Sequence, residues 1–289
     1  MEVVSNREVR RFVDETLDAD RVGQVRLTRM KHLEFWLAGA VEAAIQAGKV
    51  IRKHYTRPLR VREKGKLGLV TNADVEAETV ALRVLRKCEP GFAFLSEETH
   101  SEGVRGEGQE GIWIVDPLDG TTNFVHRFPM FCTTIALQFR KDVEVAVTYH
   151  PILDELYTAI RGKGAFMNGK PMRVSKTTRL KDALLSTGFA YSARRTLTRE
   201  MRAFEHLSRA SRAVRRPGSA ALDLAYTARG VFDGFWERHL SPWDLAAGML
   251  LVREAGGRVS DFSGGKFDLH GPEILASNGK LHSQIIRSI

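Results

Sequence analysis

Gly111-Ile112-Trp113-Ile114-Val115-Asp116-Pro117-Leu118-Asp119-Gly120-Thr121-Thr122 is the stretch on which the reading of this chain turns. Its first five residues are apolar and β-rich, bounded by Gly and by Asp-Pro, and predict a buried strand over 111–115. At a strand's end, side chains and backbone carbonyls can turn together toward one cleft. Asp116 and Asp119, with Pro117 fixing φ between them, can converge on one or two cations. The Leu118 carbonyl joins them, because a tight turn leaves it unused. Carboxylate and carbonyl oxygens without thiolates or clustered imidazoles suit hard cations such as Mg²⁺ or Mn²⁺. Gly120 lets the backbone approach a ligand, and the amides of Gly120, Thr121 and Thr122 face an anion if a helix starts there. Metals beside an anion cradle describe a phosphoryl-transfer site. The competing reading is an ordinary loop, since Asp-Pro and Asp-Gly are common turn pairs.

Working outward, further acids fall at the ends of predicted elements. Phe92–Leu95 reads as strand-like and runs into Ser96-Glu97-Glu98, where adjacent acids repel unless solvated or bound to a cation. Asp74, in VTNADVEAE, sits where an apolar helix begins and suits an N-cap; Asp244, in SPWDLAAG, is also near a helix start, where the macrodipole favours it. Each acid has a local explanation, but five together at such ends are hard to dismiss. Other chemistry is poorly supported. Gly164–Lys170 resembles a nucleotide phosphate loop until Pro171 replaces the required hydroxyl residue. There is no nucleophile elbow or zinc-protease helix, and His126, His150 and His239 read as polar surface or supporting residues rather than ligands.

A helical stripe covers 33–51, with Met30 just before it, so 1–29 reads as an appended segment, itself an optional helix through Val9, Phe12, Val13 and Leu17. A second helix ends at Pro90-Gly91, and β-rich segments follow at 133–139, 143–150 and 156–160. Later come a strand at 183–189, helices at 198–210 and 219–229, a strand at 231–236 and a Pro-initiated helix at 242–255 stopped by Gly256-Gly257. This mixed order suggests a layered α+β fold with a soft subdomain boundary near 150–180.

The 289 residues, 43% apolar and 27% charged, suit one large globular domain or two medium ones. No apolar run is long enough to span a bilayer and the start lacks a secretory core, so a soluble cytoplasmic protein is expected. Two cysteines, Cys88 and Cys132, form no disulfide framework. The 44 basic against 35 acidic residues give +9, which attracts polyanions and phosphorylated small molecules alike. The excess is densest at Arg52–Lys66 and at Arg194–Arg216, neither interleaved with several aromatics as a single-strand stacking platform is.

At this point the sequence resembles the inositol monophosphatase family. WIVDPLDGTTNFVHRFPMF is similar to its central metal-binding signature and PWDLAAGMLLVREAGG to its C-terminal one, with LSEE and KGKLGLVTNAD as the remaining blocks, all in the family's order over about residues 33–285. The resemblance implies an αβαβα sandwich, usually a homodimer, over a catalytic unit spanning 30–289. It implies Glu97, Asp116 and the Leu118 carbonyl at a first Mg²⁺, and Asp116, Asp119 and Asp244 at a second, with Glu97 helping a weaker third. Thr121 and Asp74 would orient and deprotonate the attacking water, while Gly120, Thr121 and Thr122 take the phosphate. Glu237, with Gly218, Ser219, Ala220, Asp119 and Asp244, would meet cyclitol or sugar hydroxyls, and Lys64 would lie near the phosphate. Gly68 stands where the family commonly has Asp, which bears on closure of a mobile loop and on a third metal. The implied activity is lithium-sensitive, Mg²⁺-dependent hydrolysis of an inositol phosphate. The alternatives are fructose bisphosphate, histidinol phosphate or a 3′-phosphonucleotide as substrate, or contact with RNA or the transcription machinery, as some bacterial relatives make.

Overall fold

The structure, a computed structural model, describes residues 22–64, 68–102, 110–189 and 197–289. Helix α1, Val22–Tyr55, runs straight through Met30 and beyond the apolar stripe at both ends. The expected helix through Val9 and Leu17 lies outside the described residues, as do Lys66, Arg194 and Arg195. A hairpin of β1 (Val61–Lys64) and β2 (Gly68–Thr71) leads into α2 (Asn72–Cys88). Small side chains let the two long helices close on each other: Ala40, Ala43, Ala44 and Ala47 meet Ala73, Ala77 and Ala81 in one core, all fully buried.

Eight strands form the first sheet, in the order β10-β9-β8-β7-β6-β5-β3-β4. They are β3 (Ala93–Ser96), β4 (His100–Glu102), β5 (Gly111–Asp119), β6 (Cys132–Phe139), β7 (Asp142–His150), β8 (Glu155–Ile160), β9 (Gly164–Met167) and β10 (Lys170–Met172). The segment Gly164–Lys170 is thus a hairpin, turned by Asn168 and Gly169 at φ of 49° and 74°. Five strands form the second sheet, in the order β12-β11-β13-β15-β14: β11 (Leu184–Thr187), β12 (Ala213–Arg215), β13 (Gly234–Arg238), β14 (Arg258–Ser260) and β15 (Glu273–Ser277). The remaining helices are α3 (Thr121–Val125), α4 (Leu197–Ala210), α5 (Ala220–Ala228), α6 (Pro242–Glu254) and α7 (His282–Ile286).

Strand alternation sorts the core into layers. Trp113, Val115, Ile135, Leu137, Val145 and Val147 pack with α1 and α2. Their neighbours Ile114, Ala136 and Ala146 face the other way, onto Leu224, Leu250 and Leu251 of α5 and α6. Those helices bury their far side against Phe235, Ile274 and Ala276 of the second sheet. On its outer face Leu185, Trp236 and Leu275 meet Leu207 of α4 and Ile285 of α7. The result is the expected αβαβα sandwich. The strand anticipated at 231–236 begins instead at Gly234, because Val231 and Phe232 amides both bond to the Tyr226 carbonyl at the end of α5 and Asp233 uses its side chain to hold Ser175 and the Leu184 amide.

Candidate active site

The decisive strand does not stop at Val115; β5 continues to Asp119 with a bulge. Asp116 pairs with Thr134 and Asp119 with Cys132, so three steps along β5 match two along β6. Regular alternation would send residues three apart to opposite faces, and the extra residue returns both carboxylates to the same one. Asp116 Oδ1 accepts the Leu118 amide at 2.9 Å, and Thr133 donates to the Pro117 carbonyl at 2.8 Å, fixing the bulge from both sides. Helix α3 then starts at once, with Gly120 as its N-cap at φ 93°. No side chain fits there: a Cβ on Gly120 would approach the Met130 carbonyl to 2.8 Å. Asn123 ties this turn to the start of α5 by donating to the carbonyls of Met130 (2.7 Å) and Pro217 (2.8 Å).

Asp74 and Asp244 are not N-caps. The caps are Thr71 and Ser241, and each aspartate occupies the third helical position of a capping box. Asp74 Oδ2 accepts from the Thr71 amide (2.8 Å) and hydroxyl (2.5 Å), while Oδ1 faces the Thr121 hydroxyl at 2.9 Å. Asp244 Oδ2 accepts the Ser241 amide at 2.7 Å. The Leu118 carbonyl is not unused either, since Thr121 Oγ1 lies 3.0 Å from it; one lone pair remains for another partner. Asp119 is steadied by Ser219 Oγ (2.6 Å) and the Ala221 amide (2.9 Å) at the start of α5.

Asp116, Asp119 and Asp244 offer oxygens that all lie within 4.8 Å of one another. Burial, followed by the neighbouring carboxylates, holds the Asp116 and Asp244 carboxyls well above the usual range. Burial also raises Asp119, against the pull of its Ser219 and α5 hydrogen bonds. Three acids that repel one another on a floor where Asp116 is buried and Asp119 and Asp244 are half-buried, supplied with oxygen donors only, fit a hard divalent cation, whose charge would relieve the repulsion. Glu97 stands on the wall of the same cavity and is pushed up to about 7, by burial first. Its carboxylate lies 3.5 Å from the Lys64 ammonium, which also reaches Glu98 at 3.1 Å and the Glu97 carbonyl at 2.9 Å.

The cavity above this floor has a volume of about 920 Å³. It is lined by Lys64, Glu97, Asp116, Leu118, Asp119, Gly120, Thr121, Thr122, Gly218, Ser219, Ala220, Glu237 and Asp244, and Asp74 reaches it through Thr121. Gly68 lines it too, pairing with Lys64 across the β1–β2 hairpin, where a Cβ would come 2.8 Å from the Lys64 carbonyl. Of the histidines, His126 is exposed, His150 is fully buried and His239 lines the cavity. Gly188, Phe189, Arg216 and Trp243 also line it, and sequence reading did not single them out as site residues. The Thr-x-x-Asp and Ser-x-x-Asp spacings at 71–74 and 241–244 were the signal that could have fixed both aspartates within their helices.

Known proteins resemble this chain in sequence and in fold. A sequence model of the inositol monophosphatase family matches residues 32–289. The inositol-1-monophosphatase of Synechocystis sp. is 42% identical over 259 residues, covering 89% of each chain. The Nus factor SuhB of Escherichia coli is 45% identical over 244 residues, covering 84% of this chain and 91% of that one. Among solved structures, an inositol monophosphatase from Anabaena superposes with a TM-score of 0.81 at 40% identity, covering 89% of this chain and 95% of that chain.

Proposed function

The chain belongs to the inositol monophosphatase family and is a phosphatase, and on that premise we propose that it hydrolyses an inositol monophosphate in a Mg²⁺-dependent reaction. The observation that carries the proposal is the meeting of Asp116, Asp119 and Asp244, drawn from two distant parts of the chain, on the floor of one cavity. These acids, with Glu97 and the Leu118 carbonyl, would hold two or three Mg²⁺ ions. Such ions supply charge neutralisation of the phosphate and acidification of water.

The protein's own groups do the rest. Thr121, hydrogen-bonded to Asp74, orients the attacking water, and Asp74 receives its proton through that hydroxyl. The amides of Gly120, Thr121 and Thr122 take the phosphate oxygens at the start of α3, with Lys64 adding positive charge. Glu237, the Gly218–Ala220 backbone, Asp119 and Asp244 meet the hydroxyls of the polyol. Water attacks phosphorus in line, the ester P–O bond breaks, and the leaving polyol oxygen takes a proton from solvent, while Asp74 later returns the proton it received to solvent. The test is phosphate release from a panel of inositol phosphates, fructose bisphosphate, histidinol phosphate and a 3′-phosphonucleotide. The account expects an inositol monophosphate to lead; another ester leading by tenfold or more would replace the substrate.

The relatives named Nus factor SuhB favour a second, compatible reading: contact with RNA or the transcription machinery. It predicts RNA binding that weakens steeply with salt and persists in Asp244→Asn; absence of binding at low salt removes it. The family match beginning at residue 32 supports treating 1–29 as an appended segment on a catalytic unit of 30–289. A homodimer belongs to the same reading, and light scattering decides it. Among the described residues no helix is long and apolar enough to cross a membrane.

A further inference from the structure

Glu237 is buried, at 6% exposure, and its carboxylate lies across the end of the neighbouring strand rather than along its own. Strands β11 and β13 run parallel in the register Leu185↔Gly234, Ser186↔Phe235, Thr187↔Trp236, so the next step sets Gly188 beside Glu237. Thr187 Oγ1 donates to the Trp236 carbonyl at 2.6 Å and locks that register. A Cβ built on Gly188 would fall inside van der Waals contact of both Glu237 carboxylate oxygens and 2.5 Å from Cδ. Gly188 is absent from the glycines with positive φ, so its backbone does not require glycine; the space does. Gly120 differs, since there the conformation and a backbone carbonyl both forbid a side chain.

We infer that Gly188 is a specificity-determining positioning residue: its bare Cα is the slot that holds the Glu237 carboxylate toward the polyol. The inference rests on the proposed reading of the cavity as a polyol-phosphate site. Phe189 and Arg216, whose guanidinium lies 5.1 Å from the Phe189 ring, line the same cavity as Gly188 and Glu237. In Gly188→Ala the carboxylate must leave this position, and any move toward Asp119 and Asp244 meets their repulsion. The atom that must yield is the tip of a side chain, so the fold survives while the polyol contact is lost.

The experiment measures kcat/KM for inositol 1-phosphate and for p-nitrophenyl phosphate, whose leaving group has no hydroxyls for Glu237, in wild type, Gly188→Ala, Glu237→Ala and the double variant. The ratio of the two kcat/KM values should fall about tenfold or more in each single variant, through KM for inositol 1-phosphate. The double variant should fall no further, because both changes remove one contact. Any loss of Tm in Gly188→Ala should be recovered in the double variant, where no carboxylate remains to press on the added methyl group; this arm stands even if the single variant folds poorly. An unchanged ratio in Gly188→Ala, losses that multiply, or a Tm loss that Glu237→Ala does not relieve would overturn the inference. Wild type inactive on inositol 1-phosphate but active on p-nitrophenyl phosphate would instead overturn the substrate reading, and this inference with it.

Discussion

Helices α2 and α6 begin with the same device, a Thr or Ser cap and an aspartate three residues on, yet the two aspartates face different surroundings. Asp74 spends every near oxygen on hydrogen donors: the Thr71 amide and hydroxyl on one side and the Thr121 hydroxyl on the other. Asp244 uses one oxygen for the Ser241 amide, and its carboxylate meets those of Asp116 and Asp119. Donors ring the Asp74 carboxylate, yet burial still holds it above the usual carboxylate range, and on the proposed reading it takes up a proton through Thr121. A carboxylate facing two others is unbalanced until a cation arrives. On the proposed reading, one local motif serves proton transfer in one helix and metal binding in the other.

The sharpest way to break this comparison is to neutralise each aspartate. Asp244→Asn keeps the cap, because the amide oxygen still accepts from Ser241, but removes a charge from the cluster. We expect kcat/KM to fall about a thousandfold or more, the Tm gain on adding Mg²⁺ to shrink, and the metal-free Tm to hold or rise. Asp74→Asn should lower kcat about a hundredfold, with KM and the Mg²⁺-induced Tm gain retained. If both variants lose metal stabilisation equally, the division of labour is wrong.

The comparison also carries a pH signature. Glu97, pushed up to about 7 from an ordinary 4.5, keeps a proton in the native metal-free protein that the unfolded chain has released. Between those values the native state binds more protons, so its contribution to stability is lost as pH rises. His282 has the opposite sign. It is fully buried between the hydroxyls of Ser260 and Ser277, each 2.8 Å from a ring nitrogen, and burial lowers it from 6.5 to about 4. The stability it contributes is complete above 6.5 and declines as pH falls toward 4. Thermal unfolding of the metal-free protein should therefore show Tm rising with pH from about 4 through His282, the two effects opposing each other between 4.5 and 6.5. Tm should then fall by a few degrees as pH passes about 7 through Glu97, with Mg²⁺ removing the fall alone. The smallest effect belongs to the caps: Thr71→Ala and Ser241→Ala should each cost about 1 kcal/mol by chemical denaturation.

The acids of the candidate site were legible because Asp119, Glu97, Asp74 and Asp244 stand at or next to strand ends and helix starts, which leave marks in sequence, whereas Asp116 lies within β5. Asp116 and Asp119 were readable as a pair from their spacing, although the bulge that turns them to one side comes from pairing with β6. Asp74 reads locally as an N-cap and Asp244 as an acid near a helix start; the Thr or Ser three residues earlier is what places both at the third position of a capping box. Gly188 had no local signature, since its place beside Glu237 comes from the register of β11 on β13, and Arg216 was legible only as part of a basic run, since its place over Phe189 on the cavity wall is tertiary. In the fold, β-rich runs identified β3, β5, β6, β7 and β8 of the first sheet but not the short β4, while the strand after α5 begins later than expected because Asp233 reads as part of a β-rich run and serves instead as a turn anchor.

The central claim is that carboxylates brought together from separate segments work only with a divalent cation among them. Phosphate release from inositol 1-phosphate by the purified chain, titrated from excess chelator to saturating Mg²⁺, tests it most directly. The account predicts no turnover in chelator and a saturable rise with Mg²⁺. Equal turnover in chelator and in Mg²⁺, or none at any concentration, would contradict it.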